Sequence, residues 1–363
     1  APNELMGGEQ YWYRSSLNRL IREDLKDIVE SSEKLLSLQK GDIVVDIGCN
    51  DGTMLEFYDK EGIELVGFEP AKNVASIANQ KELKIFNNYF NAEDFTKKHG
   101  DKKAKIITAI SMFYDLEDPN KFLKDIVSIL DSKGILVIQQ SYLVKILEKN
   151  AFDSICHEHR EYYSFSSLKH LLDRYGLEIF DVELNEIYGG CFRTYIKFKG
   201  NDEMNCFKGA NDRLKEIEQT EKSLGLDNAE SYQEFASRIK KIKNQLLKFI
   251  KYEQMKGKTF GGCGASTKGN TILQYFGLNS EQIVAIADAN EDKFGKKTVG
   301  SMIPVVSIEE MKKINPDYQI VFIWHLFEGL MDKEKEYLKN GGKFILPLPE
   351  FKISEYSQEF DRL

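Results

Sequence analysis

The stretch GDIVVDIGCNDGTMLEFY, residues 41–58, decides how the rest of the chain is read. Residues 43–47 are short, β-branched and apolar on both faces, as in a central strand of a parallel sheet. Gly48 and Gly52 then bracket a tight turn, and from Thr53 onward the pattern reads as helical. Strand, glycine turn and helix in this order predict a ligand-facing loop at the carboxyl edge of a doubly wound sheet.

Working outward, residues 15–38 carry apolar side chains at helical spacing (Leu17, Leu20, Ile21, Leu25, Ile28, Val29) and predict a helix. Apolar runs at 64–68, 104–110 and 134–139 alternate with helical stretches, which predicts a parallel sheet covered by helices. Runs near 177–184 and 192–198 suit an antiparallel edge pair. Residues 203–252 are Lys/Glu-rich with sparse apolar positions, the pattern of one or two long amphipathic helices. A second strand, glycine turn and helix begins with KTFGGCGASTKGNTILQYFGL (258–278), followed by apolar runs at 283–287, 319–324 and 343–346. The expected fold class is α/β: a helical segment (1–38), a Rossmann-like domain (39–202), a helical linker (203–254) and a smaller Rossmann-like domain (255–363).

Of the 363 residues, 42% are hydrophobic and 30% charged, the balance of a water-soluble globular chain. A net charge of −8 argues against a nucleic-acid partner, because phosphate binding needs clustered cations. No run of about 18 apolar residues exists, so no membrane span is expected. APNELMGGEQ at the start lacks a basic region followed by an apolar one, so no secretory leader is expected. The five cysteines (Cys49, Cys156, Cys191, Cys206, Cys263) are scattered and unpaired in spacing, which reads as reduced thiols in the cytoplasm.

Charge tells the two glycine turns apart. A dinucleotide site wants a pyrophosphate on a helix N-terminus, but Asp46 and Asp51 place carboxylates in the first turn. At the end of the next strand, GFEP puts Glu69 where an acidic side chain grips ribose hydroxyls. An acidic turn plus a ribose-binding acid, without phosphate, describes S-adenosylmethionine. The second turn, GGCGASTKGN, has an open backbone, hydroxyls at Ser266 and Thr267, and a cation at Lys268 just before Gly269. That is either an anion cradle for a substrate diphosphate or a well-capped helix start.

The block AFDSICHEHREYYSF (151–165) sets two of the five histidines, His157 and His159, around Glu158 and beside Tyr162 and Tyr163. Imidazole exchanges protons near neutral pH, so a proton-transfer centre, a metal site and a polar patch at a helix start near Ser164 all compete. Alternating residues suit a metal poorly, and no third ligand cluster stands in the sequence, so no metal is expected. Arg193, after a glycine pair, could hold a phosphate or a sugar hydroxyl, or sit at the surface. Asp288, Lys296 and Lys297 could recognise base or ribose, or be loop residues.

The pattern V-D-I-G-x-x-x-G with a later F-E-P resembles class I methyltransferases. That resemblance implies Asp46, Gly48, Asn50, Asp51 and Gly52 at the methionine end of S-adenosylmethionine. It puts Glu69 and Pro70 at the ribose, and Ser111 and Met112 flanking the cofactor. VVDIGCNDGTML, CHEHREYYSF, NEIYGGCFRTYI and GGCGASTKGNTILQYFGL with IVAIADANEDKFGKKTVGSMIPVV together resemble the nucleotide-sugar C-methyltransferases over nearly the whole chain. What this implies is S-adenosylmethionine in the first domain and a nucleoside-diphosphate keto-deoxysugar between the two. The base would be the Glu158–His159 pair; the enolate that it forms needs a donor for its oxygen, which Tyr162, Tyr163, Tyr188 or His157 could supply. Tyr114, Asp115, Cys156, Tyr163, Tyr188, Arg193 and Ser266 to Gly269 would be on the substrate. Family members usually begin with a cysteine-rich zinc domain, whose cysteines are not in this sequence. They also carry histidine near Asp115 and tyrosine where Cys156 stands. Methylation of oxygen or nitrogen, or sugar-nucleotide binding without catalysis, are the alternatives, and the oligomeric state is not indicated.

Overall fold

The computed structural model describes residues 11–354 apart from 12, 59, 60, 82 and 203, and leaves the side chains of 332 and 333 aside. The expectation about a leader falls on residues outside this set. The chain forms two compact units. One comprises residues up to 143 together with 157–225, the other 144–156 together with 226 onward. The expected division was drawn elsewhere, at 38, 202 and 254.

The first unit is built on seven strands: β1 (Ile43–Ile47), β2 (Glu64–Phe68), β3 (Lys84–Phe86), β4 (Ala104–Ile110), β5 (Leu130–Ser141), β6 (Leu177–Asn185) and β7 (Cys191–Phe198). They run in the order β3-β2-β1-β4-β5-β7-β6. All five β1 residues are buried, as an apolar central strand requires. β1 pairs in parallel with β2 and β4, so the strand order reverses at β1 and opens a crevice beyond the carboxyl ends of β1 and β4. The expected antiparallel pair is present, with β7 inserted between β5 and β6.

The first helix is shorter than its periodicity suggested. Asn18 accepts the Leu20 N–H and starts it at Arg19, after a 3₁₀ turn at Ser15–Leu17. Its stripe of Ile21, Leu25, Ile28 and Val29 packs with Val44, Ile106, Val137 and Tyr195. The helix expected from Thr53 is only a 3₁₀ turn, Leu55–Phe57. Asp51 holds both the amide and the hydroxyl of Thr53, and Gly52 sits at φ +75°, so the chain turns locally before any helix can start.

Arg193 corrects a sequence expectation. It is buried on β7, not placed at a phosphate. Its guanidinium donates to Asp24 at 2.9 Å, Asp27 at 2.7 Å and the Gln139 side chain at 2.8 Å, with Glu183 at 3.4 Å. One cation thus ties the first helix to β5, β6 and β7. The helix Ala210–Leu224 also belongs to this unit, where Glu221 accepts the backbone N–H groups of Phe165 and Ser166 at the start of the helix Phe165–Asp173.

The second unit has six strands: β8 (Phe260–Cys263), β9 (Ile286–Ala287), β10 (Val305–Val306), β11 (Tyr318–Val321), β12 (Lys343–Leu346) and β13 (Lys352–Ser354). Their order is β10-β9-β8-β11-β12-β13, with only β13 antiparallel. The strand order reverses at β8, and the helix Thr267–Phe276 follows its glycine turn. The helix Ala229–Met255 also belongs to this unit. β9 and β11 are shorter than the apolar runs that predicted them, because those runs also supply buried residues of the adjoining turns, such as Ile283 and Trp324.

Replacing Arg193 by Met should leave the largely buried Asp24 carboxylate without its cation. Loss of such a partner typically costs 3–5 kcal/mol. Urea unfolding of Arg193→Met should therefore show a large fall in midpoint, and an unchanged midpoint would contradict this role.

Candidate active site

β1 carries Asp46 into the crevice, where its carboxylate accepts from the Thr108 hydroxyl on β4 at 2.8 Å. Burial, partly offset by that bond and reinforced by the charge of Glu69, pushes Asp46 up to about 7. Gly48 follows at φ +71°, and a Cβ there would meet Met112 Cγ at 3.1 Å. Only glycine lets the turn lie this low.

Glu69 ends the turn's other wall. Its two oxygens accept the backbone N–H groups of Asn50 at 3.0 Å and Ala71 at 2.8 Å. Burial still holds it above the usual carboxylate range. Each carboxylate oxygen retains lone-pair capacity toward the cavity, the requirement for gripping hydroxyls. Asp46, Gly48, Asn50, Glu69, Pro70, Ser111, Met112, Asp115, Glu158 and Tyr188 line one cavity. Ser111 has φ +55°, and its buried hydroxyl meets no hydrogen-bond partner among the described residues. A clear donor-acceptor position beside a glycine cradle and a ribose-type carboxylate fits S-adenosylmethionine.

Two residues of the first turn do not line this cavity. Asp51 is fully buried and accepts from the Ser16 N–H and from Thr53. Burial alone would raise its pKa, but these bonds together hold it below the usual range. Gly52 is required by packing, since a Cβ would meet Leu83 Cδ1 at 2.4 Å. Of the acidic residues that the sequence set in this region, Asp46 and Glu69 line the cavity and Asp51 does not.

Sequence reasoning missed Tyr11, Tyr13, Asp24, Tyr89, Phe90 and Phe122, which also line the cavity. Tyr11 and Tyr13 lie on a segment fastened by side chains. Asn73 exchanges two hydrogen bonds with the Tyr11 backbone, and Asn50 donates to the Tyr13 carbonyl and accepts from the Ser15 N–H. The Tyr13 and Tyr188 hydroxyls are hydrogen-bonded to each other. Tyr188 stands at φ +52°, a strained conformation for an aromatic residue. The dense aromatics ahead of the first helix were the available signal.

The CHEH segment is pinned by Tyr114, whose carbonyl accepts the N–H groups of Arg160 and Glu161, both at 3.0 Å. The half-buried His159 ring packs on the Tyr114 ring with centroids 4.2 Å apart. Glu158 reaches the cavity wall and pairs with exposed His157 at 3.8 Å. The Tyr162 hydroxyl donates to the His159 carbonyl. Ser164, not a histidine, caps the following helix through a capping box. Tyr163 is buried against Phe113, and its carbonyl accepts the Leu143 N–H, so it serves packing.

Cys156 and the turn at Ser266, Thr267, Lys268 and Gly269 belong to the second unit. There the Ser266 hydroxyl caps the Gly269 N–H at 3.0 Å. Asp288 accepts the Ala265 and Asn290 N–H groups and pairs with Lys293, so it braces this turn. Burial, then the Lys268 charge, push His325 down to about 3. Among the described residues no group of three His, Cys, Asp or Glu side chains is placed to hold a metal, and no helix is long and apolar enough to cross a membrane.

Residues 13–182 match the family model described as a methyltransferase domain, and residues 186–349 match the C-methyltransferase C-terminal domain. C-methyltransferase NovU of Streptomyces niveus is 31% identical over 355 residues, covering 97% of this chain and 82% of that protein. Among solved structures, the plantazolicin methyltransferase BpumL in complex with SAH is 15% identical with a TM-score of 0.37, covering 48% of this chain and 82% of its own. An S-adenosylmethionine-dependent methyltransferase from Clostridium acetobutylicum ATCC 824 is 13% identical with a TM-score of 0.39, covering 49% and 92% respectively. With a doubly wound sheet, an acidic glycine turn and a 31% identical relative matched over 97% of this sequence, the chain belongs to the C-methyltransferase family, enzymes for which S-adenosylmethionine is the methyl donor.

Proposed function

We propose that this enzyme methylates the carbon next to the ketone of a nucleoside-diphosphate-linked keto-deoxysugar, with His159 as the base. The observation that carries the reading is that His159, packed on the Tyr114 ring, directly follows Glu158 in the chain, and Glu158 lines one cavity with Asp46, Glu69 and Asp115 although His159 itself is not among the lining residues. Glu69 would hold the ribose of the methyl donor. Asp46, Gly48 and Asn50 would hold its methionine end, with Pro70, Ser111 and Met112 beside it. When bound, S-adenosylmethionine supplies an electrophilic methyl group on a sulfonium.

Carbon becomes a nucleophile only after losing a proton, and a proton beside a ketone is acidic enough for a positioned imidazole to take. Tyr114 fixes the plane of the His159 ring. The negative charge of Glu158, one residue away, would favour the imidazolium that forms. Oxygen or nitrogen methylation would not need this step, and the family is a carbon-directed one. We assign the sugar's diphosphate to the second glycine turn, where Lys268 supplies charge at the helix start; Gly264, at φ +89°, is required there by packing, since a Cβ would meet Ile323. A second reading makes Glu158 the base, because Glu158 is itself on the cavity wall.

Deuterium washout from a thymidine-diphosphate 4-keto-6-deoxyhexose probe separates the two readings. His159→Ala should stop exchange and lower turnover by about 10²–10⁴-fold, with S-adenosylmethionine affinity within a few-fold of wild type. Exchange that survives in His159→Ala and stops in Glu158→Gln would transfer the role to Glu158.

The raised Asp46 makes a second prediction. A cationic amino group beside it favours the ionised form, so binding releases the proton that Asp46 holds below pH 7. Affinity for S-adenosylmethionine should rise with pH, by up to about tenfold per unit, and level off above 7. Calorimetry in buffers of different ionisation enthalpy should show this proton release in wild type and not in Asp46→Asn.

A further inference from the structure

Asp115 ends the 3₁₀ turn Phe113–Asp115 and lines the same cavity as Glu69 and Glu158. Its Oδ1 is buried and has no hydrogen-bond partner among the described residues. An ionised carboxylate in that setting would be expensive, since it lacks both water and donors on one side. The groups facing it make ionisation harder still. Glu158, from the CHEH segment, presents a like charge, and the phenol of Tyr11 faces both carboxyls and Glu69. The cation on that side, Arg160, lies 3.6 Å from Glu117 and divides its charge between the two acids. Burial first, then Glu158, hold Asp115 up at about 8 despite Arg160.

We propose that Asp115 works as a neutral carboxylic acid that donates a hydrogen bond to the substrate oxygen on which charge gathers during carbon methylation. The identity of that oxygen rests on the reading given under the proposed function. As the base takes the carbon-bound proton, the electron pair moves onto the ketone oxygen. The Asp115 O–H stabilises that oxygen without transferring its proton. When the carbon forms its bond to the methyl group, the electron pair returns, the C=O bond is restored and the donor's sulfur leaves as a thioether. The base alone carries the removed proton to solvent. Burial beside a second carboxyl keeps an acid protonated at neutral pH so that it can act as a donor. Ionised, the same side chain could only accept, and would repel the charged oxygen.

The test has two arms. Infrared difference spectra of the full chain with bound S-adenosylhomocysteine should show a protonated-carboxyl carbonyl band at pH 7 that fades above pH 8 and is missing from Asp115→Asn. No such band in wild type, or the same band in the variant, overturns the proposal. In turnover of the keto-deoxyhexose probe, Asp115→Ala should lose about 10²–10³-fold in kcat, as for loss of an oxyanion donor. Asp115→Asn, which keeps an N–H donor, should recover at least about a tenth of wild-type kcat and lose the alkaline limb near pH 8. Asp115→Asn as inactive as Asp115→Ala, with S-adenosylhomocysteine affinity intact in both, would also overturn it. The band without any methylation of the probe would sink the substrate reading alone, because the spectroscopic arm involves no sugar.

Discussion

The site depends on one carboxylate that serves two loops. Glu69 accepts the N–H of Asn50 after β1 and of Ala71 after β2, so the floor and the wall of the crevice are fixed by the same side chain. Asn50 carries the arrangement further, because its amide holds the backbone of the segment bearing Tyr13. A single acidic residue at the end of a strand therefore sets the cavity's floor, its wall and the attachment of its cover. This explains why Glu69 stays buried although burial raises its pKa: the two backbone donors stabilise the anion where water does not reach.

The cavity is graded in protonation. Asp46 and Asp115 are both carried above the ordinary carboxylate range by burial, whereas Asp51, outside the cavity and well supplied with donors, is carried below it. Three aspartates of one unit thus have three different chemistries. Donor count separates them: Asp51 accepts from Ser16 and Thr53, Asp46 from Thr108, and one oxygen of Asp115 has no donor among the described residues. Desolvation pushes all three upward and does not by itself assign a role.

Much of the fold was legible in the sequence because its cause is local. β1, β2 and β4 coincide with the apolar runs read at 43–47, 64–68 and 104–110, since a strand covered on both faces shows as an unbroken apolar run. The acidic first turn and Glu69 were legible for the same reason. What was not legible depends on partners remote in the chain. The direction of the Asp51 carboxylate follows from Ser16, and the burial of Arg193 follows from Asp24 and Asp27 on a helix whose spacing revealed only its apolar face. Tyr11 and Tyr13 enter the cavity because Asn50 and Asn73 bind their backbone, a pairing that no periodicity encodes. The short 3₁₀ turn after Gly52 was misread as a helix because helical spacing continued while capping chemistry did not.

The two units are each made of two separated pieces of chain, so the polypeptide passes from one to the other three times, at 143/144, 156/157 and 225/226. Neither can be obtained by cutting the gene once. A fragment ending at residue 202 would lack the helix Ala210–Leu224, and with it the Glu221 carboxylate at the start of Phe165–Asp173. Such a fragment would also retain thirteen residues, 144–156, that belong to the other half. Recombination with related enzymes would have to exchange both pieces of a unit together, which ties the inheritance of His157, Glu158 and His159 to that of the strands on either side of them.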